Sequence, residues 1–537
     1  MSAVLRRSVR ALVTTAALAG LGGAMSAAGP ASAAQLAAGL GSSAAPGSWT
    51  VYHGDPTGQG VAESASSVNT AARAWTSPAL DGQLYGEPLA DGGFVYVATE
   101  NDTVYALSAA TGAVKWSAHV GAPVPAGSLP CGNISPTVGI TGTPVIDPSR
   151  QEIFVVADTD AGGRPAHMLV GLSTASGKVE LRQHVDPPGD DPAALLQRTG
   201  LALDAGQVVF AMGGNFGDCG RYHGQVAGVA ETGGPPRFFT VDSAAGDSQG
   251  AIWMGGAAPV VDAKGNIWVA PGNGSVTTPG HAFDDSDAVL ELSSALRLEQ
   301  YFAPSDWVAQ NASDLDMSTA PVLLASGQVL VAGKSGAAYL LDGSHLGGIG
   351  GQQATLKSAC GTVIDGGTAV LGTTVFLPCL DGIVAVQVTA SPAGLRLLWS
   401  SGTGGGPPII AAGLVWTISH DGVLYGLTPG TGKIRQQVTL GTPANHFPTP
   451  SVGDGLLLAA CAANVVAFPV DGGVAGSQQP TAAQGAPCAA YTPAAPGTPR
   501  RYIAAAALGG LIVVLAMASL AWFTVRRRKG RRGPSPS

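Results

Sequence analysis

Eight segments of the chain repeat one pattern: a small or proline-containing turn, two apolar residues, a short Gly/Asp loop and then an apolar strand. They are GEPLADGGFVYVAT from Gly86, GTPVIDPSRQEIFVVA from Gly142, RTGLALDAGQVVFAMG from Arg198, GAAPVVDAKGNIWVAP from Gly256, TAPVLLASGQVLVAG from Thr319, GGTAVLGTTVFLPC from Gly366, GPPIIAAGLVWTIS from Gly406 and PTPSVGDGLLLAAC from Pro448. Each reads as a hairpin, because turn residues separate two short runs of strand formers. Several run on into a third strand and turn, as in Asp102 to Trp116, His167 to Leu181 and Gly422 to Val438. Trp75 to Val470 spans 396 residues, about 50 per unit, the size of a four-stranded propeller blade with its loops. A blade exposes apolar faces that only its neighbours cover, so the ring must close. The expected fold is all-β, an eight-bladed propeller. Seven blades is the alternative, since the unit from Arg198 matches least well. The last unit is short of a strand, which Ser48 to Asp55 (SWTVYHGD) is expected to supply.

The two ends read differently. Arg6, Arg7 and Arg10, an apolar run from Ala11 to Met25 and then Ala31-Ser32-Ala33 have the layout of a secretory signal over 1–33. The propeller occupies 34–471, and a Pro/Ala-rich stalk follows over 472–501. An uncharged run over 502–525 is long enough to span a bilayer as one helix, and 526–537 is a basic tail containing RRRKGRR. Basic residues after the span place the tail in the cytoplasm and the bulk of the chain outside, as a single-pass protein of the cell membrane.

Removing the three basic residues of the first segment and the eight between Arg500 and Arg532 leaves 16 of 27, against 35 acids, so the middle carries −19. Such a domain repels polyanions and excludes nucleic acid as a partner. The Ala/Gly/Arg-rich, Lys-poor composition points to a bacterial source. The six cysteines fall in the exported part, where disulfides persist. The repeat pattern favours Cys131 with Cys219, Cys360 with Cys379 and Cys461 with Cys488.

At ALSAATGAVKW (Ala106 to Trp116) the sequence resembles the repeat of pyrroloquinoline quinone (PQQ) dehydrogenases and their non-catalytic relatives, whose blades end in Ala, a polar residue, Thr-Gly and Trp. The Trp is absent after the GTGK turn at Gly430 to Lys433. In overall look the chain is similar to actinobacterial exported PQQ-binding-like propellers, through CGNISPTVGITGTPVID (Cys131 to Asp147), GNFGDCGRYHG (Gly214 to Gly224), NASDLDMSTAPVLL (Asn311 to Leu324) and GKSGAAYLLD (Gly333 to Asp342). The resemblance implies a quinone beside a calcium ion held by a Glu and an Asn, an Asp as general base and a basic residue on the quinone oxygen. Carried onto this chain, Asn273 and Asp218 are the calcium candidates, Asp314 and Asp316 the catalytic ones and Lys334 the cofactor-binding cation. Asp218 lies one residue out of register and is one carbon shorter than the Glu it replaces. The vicinal disulfide of many such enzymes is missing. Trp253 and Trp268 are the candidates for the stacking platform, and blade packing is the commoner use of a strand Trp.

The cluster Asp284, Asp285 and Asp287 has part of the spacing of a calcium loop but lacks its Gly and closing Glu, so a surface loop is expected there. Two functions stand. One is a membrane-anchored binding or scaffold propeller, with a cell-envelope protein or polymer as partner and no enzymatic activity. The alternative is a PQQ- and calcium-dependent dehydrogenase of alcohols or sugars.

Overall fold

A computed structural model of the chain describes residues 47–62, 65, 67–443, 447–471 and 486–492. The expected signal peptide, membrane span, tail and most of the stalk lie outside the described residues. Among the described residues no helix is long and apolar enough to cross a membrane.

Eight antiparallel sheets follow one another along the chain. The inner strands are Leu89–Asp91, Val145–Asp147, Ala202–Asp204, Val260–Val261, Val322–Leu323, Ala369–Leu371, Ile409–Ala411 and Ser451–Gly453, heading blades 1 to 8. Each expected hairpin forms the first two strands of a blade; in blade 1, Leu89 faces Tyr96 and Asp91 faces Phe94 across the turn. The unit from Arg198 makes a complete blade, so the ring has eight blades and the seven-blade alternative falls. Second strands are buried on both faces, as in Gln207–Gly214, while outer strands such as Val114–His119 alternate towards solvent. That gradient is what radial packing of sheets produces.

The repeat ending has a structural reason. Trp75 packs its ring on Gly112 and donates its indole N–H to the Ala109 carbonyl at 2.7 Å. Trp116 does the same to Gly177 and Thr174 (2.8 Å), and Trp399 to Gly432 and Pro429 (2.8 Å). In each case the Trp belongs to the outer strand of one blade and the glycine turn, Thr-Gly at Gly112 and Gly432 and Ser-Gly at Gly177, to the next. A Cβ on any of these glycines would stand 2.5 Å from the indole, and each has a φ of 67 to 70°, so only glycine lets the blades approach this closely. The GTGK turn is therefore served by Trp399 of the preceding blade, and no Trp is needed after it.

Ring closure differs from expectation. Blade 8 is completed by Ser67–Val68 and Trp75–Thr76, which pair with Asn464–Asp471, and not by Ser48 to Asp55. The latter segment belongs to a strap, 47–62, that bonds to inner strands of successive blades. Trp49 exchanges backbone bonds with Ala90 (2.7 and 2.9 Å), Thr50 accepts from Ile146, Pro56 from Val261, Gln59 from Val370, Gly60 from Ile410 and Gly47 from Asp454. The Gln59 side chain reaches the Leu323 carbonyl at 3.2 Å. Val51 joins the apolar cluster of Leu201 and Phe210 in blade 3. A short, apolar, Trp/Val/Tyr-containing run suits this position because it meets the buried ends of all eight blades. The buried Glu87 anchors it, taking the Trp49 indole N–H at 2.7 Å and the His53 amide at 2.9 Å.

Candidate functional site

The turn between second and third strands and the connection to the next blade emerge at the same end of every blade. All five residues singled out in the sequence lie in such segments, on blades 3 to 5. Asp218 is in the blade 3 loop 215–224, Asn273 in the blade 4 loop 270–288, Asp314 and Asp316 in the connection 304–321, and Lys334 in the blade 5 turn 333–337. Asp218 and Asp314 adopt φ values of 51 and 54°, which Asp tolerates better than most residues.

The structure brings all five together. The Lys334 ammonium pairs with Asp314 Oδ1 at 3.0 Å and with Asp316 Oδ2. Asn273 donates its backbone N–H to Asp316 Oδ1 (2.8 Å) and its side-chain N–H to Asp314 Oδ1 (2.7 Å). Its side-chain carbonyl oxygen is buried and accepts no hydrogen bond. Asp218 accepts the Tyr222 hydroxyl at 2.5 Å. Burial raises its carboxyl above the ordinary range, Asp316 and Asp314 raise it further and Lys334 opposes them. Burial alone would lower the Lys334 ammonium, but Asp316 and Asp314 beside it outweigh that and raise it, so it remains charged.

Asp365 and Tyr222 were not singled out from the sequence, and Asp287 was read only as part of a calcium-like surface loop. Asp365, in the connection from blade 5 to blade 6, is pushed up to about 6 by burial, with Lys334 pulling the other way. Asp287 is fully buried and raised well above the usual carboxylate range by burial and by Asp316. The expectation of a surface loop at Asp284 to Asp287 is corrected: Asp284, Ser286 and Asp287 are buried, because the segment folds inward against Asn311 and Gly274. Tyr222 could have been suspected only from its position four residues after Asp218.

The two platform candidates separate. Trp268 lies in the apolar core of blade 4, with its indole N–H on Asp262 at 3.4 Å. Trp253 is half-buried, its indole nitrogen lies over Gly213, and it has no hydrogen-bond partner. The disulfide Cys131–Cys219 sits beside the face, since Cys219 follows Asp218; Cys360–Cys379 ties blade 6. The third expected pair, Cys461 and Cys488, is not bridged in the structure, although the two lie side by side against Gly441.

Comparison with known proteins now fits this geometry. Residues 22–221 match the family model described as outer membrane protein assembly factor BamB, a PQQ-type repeat. The chain is an eight-bladed β-propeller whose first part matches the PQQ-type repeat. Among solved structures, this propeller superposes on the quinohaemoprotein alcohol dehydrogenase ADHIIG of Pseudomonas putida HK5 at 14% identity and TM-score 0.59, covering 81% of this chain and 82% of that one. The quinohaemoprotein alcohol dehydrogenase of Comamonas testosteroni gives 15% and 0.55, with the same coverage. A europium-containing methanol dehydrogenase gives 13% and 0.57, over 77% of this chain and 89% of that one. At these identities the likeness establishes the shared fold. No curated protein matches the sequence significantly.

A hard divalent cation and a quinone can be weighed separately against these side chains. The cation fits: the unpartnered Asn273 oxygen and the Asp218 and Asp316 carboxylates are oxygen donors of the type calcium takes. Among the described residues no three His, Cys, Asp or Glu side chains form a metal cluster, so the amide oxygen would be essential. The polyanionic quinone fits poorly. Lys334 is the cation available to it, is already shared between Asp314 and Asp316, and stands among Asp218, Asp287 and Asp365.

Proposed function

We propose that this propeller is a cation-dependent binding module, held at the outer surface of the cell membrane by its C-terminal segment, with a protein or polymer of the cell envelope as partner. The observation that carries this reading is the charge balance of the blade 3–5 face: Lys334 is committed to two carboxylates while three further acids surround it. A cation taken up by Asn273, Asp316 and Asp218 relieves that repulsion. It also leaves coordination positions through which an anionic or hydroxylated partner can bind, because calcium takes 6–8 oxygen ligands. The test is a calcium titration of the melting temperature. Calcium should stabilise the wild-type chain and stabilise Asp316→Asn less; equal shifts in both would remove Asp316 from the site.

A second reading, the quinone-dependent dehydrogenase, draws on the convergence of all five candidates and on Trp253 as a platform. Quinone and calcium together would supply hydride acceptance. Asp316 would take the hydroxyl proton, and Lys334 would hold Asp316 ionised and in place. The commitment of Lys334 to Asp314 and Asp316, which leaves that cation no longer free for the quinone, weighs against it.

A further inference from the structure

Behind the blade 3–5 face lies a second nest of oxygens. The turn Gly272-Asn273-Gly274 is a septum between the two. A Cβ on Gly272 would stand 2.6 Å from Asp316 Oδ1 on the outer side. On Gly274 it would stand 2.7 Å from Asp242 Oδ2, 2.7 Å from Ser286 Oγ and 2.8 Å from Asp284 Oδ2 on the inner side. The septum can pass between them only because both residues lack side chains.

The inner nest is built and under-satisfied. Asp242 has no solvent exposure, and neither of its carboxylate oxygens meets a hydrogen-bond donor in bonding geometry. Asp284 uses Oδ1 to accept the Ser286 amide (3.1 Å) and hydroxyl (2.6 Å), while its Oδ2 has no partner. The neutral wall is rigid: Asn311 donates to Ser286 Oγ and to the Val276 carbonyl, both at 2.9 Å, and accepts the Gly274 amide at 3.0 Å.

We propose that Asp242 and Asp284, with the Ser286 hydroxyl beside them, bind a second hard divalent cation of the calcium class behind the septum. A proton shared between the two acids would satisfy one oxygen on each and leave the rest bare, whereas one ion with several oxygen ligands reaches more of them. Bound there, the ion fixes Gly274 and through it the orientation of Asn273 on the outer face. This inner site stands independently of the outer one.

The full chain, stripped with chelator and re-equilibrated with calcium chloride, supplies the test by metal analysis after dialysis. Wild type should retain an equivalent of calcium that Asp242→Asn and Asp284→Asn each lose and that Asp316→Asn keeps. If Asp242→Asn retains the full wild-type complement, or if Asp316→Asn holds no calcium at all, the proposal is overturned and the pair shares a proton. Loss of outer binding alone, in Asp316→Asn, would be a separate result. Should the inner variants not fold, terbium(III) luminescence of the unmodified chain decides: a population of ion shielded from water is expected, and its absence overturns the site.

Discussion

Replacing Lys334 by Met tests the cation site directly, because removing the positive charge beside the ion's ligands should tighten the ion. The Lys334 stem packs in a partly buried turn, with its side chain 23% exposed, and its partners differ: Asp316 is 20% exposed and Asp314 74%. The Asp314 pair, in water, is worth ~0–1 kcal/mol. The Asp316 pair is better shielded, and losing its partner costs less than the ~3–5 kcal/mol of a fully buried pair, so a net loss of about 1–3 kcal/mol is expected. The effect on a cation is larger in consequence. With a divalent ion about 6 Å from the ammonium and an effective dielectric between roughly 40 and 80, removing the positive charge favours the ion by about 1.5–3 kcal/mol. That is roughly a 10- to 100-fold tighter Kd. The assay is calcium titration by calorimetry at fixed ionic strength, alongside a denaturant melt. Lys334→Met should melt earlier without calcium and bind calcium more tightly. Unchanged or weaker calcium binding would refute the argument, since it would mean that the ammonium does not share the ion's site.

Three further outcomes follow from the same structure. Cys461 and Cys488 lie together where the backbone of Cys488 bonds to Leu440 at 2.7 Å; peptide mapping without reduction should find them bridged in exported protein, and closing this loop should add about 3.5 kcal/mol, lost in Cys488→Ser. His167 is buried between Asp158 (3.2 Å) and Asp186 (2.6 Å), and although burial lowers its ring, Asp158 and Asp186 raise it from 6.5 to about 10. This contribution, at most ~5 kcal/mol, is fully present below pH 6.5 and lost as pH rises through about 10, so the melting temperature should fall between pH 7 and 10 and His167→Gln should flatten that fall. Trp49→Ala should cost ~3–5 kcal/mol in a urea melt, because it removes a buried indole and leaves Glu87 without one of its two donors; a loss under about 1 kcal/mol would show that the strap is dispensable.

The fold was largely legible, because blade hairpins are local: an apolar pair, a Gly/Asp turn and an apolar strand specify register without long-range information. The closing strand was not. Ser48 to Asp55 was expected to complete blade 8, whereas Ser67–Val68 and Trp75–Thr76 pair with Asn464–Asp471, a long-range pairing that local pattern does not specify. The five outer-face residues were found through resemblance, since 117 positions from Asp218 to Lys334 separate side chains that the ring brings together. Asp365 escaped because burial, and not residue type, makes it a participant, and Asp287 was placed on a surface loop for the same reason. The septum was invisible for a related reason: a Gly-Asn-Gly run reads as a turn, and which oxygens press on each glycine is a property of blades 3 to 5 assembled.

The central claim is that the blade 3–5 face takes up a cation and not a quinone. The measurement that meets it most directly is the absorption spectrum of the full chain titrated with pyrroloquinoline quinone in the presence of calcium, followed by dye reduction with alcohols and sugars. The account predicts calcium binding with no micromolar quinone complex and no turnover. A calcium-dependent quinone complex of micromolar affinity or tighter, reducing dye in a reaction abolished by Asp316→Asn and weakened by Lys334→Ala, would contradict it.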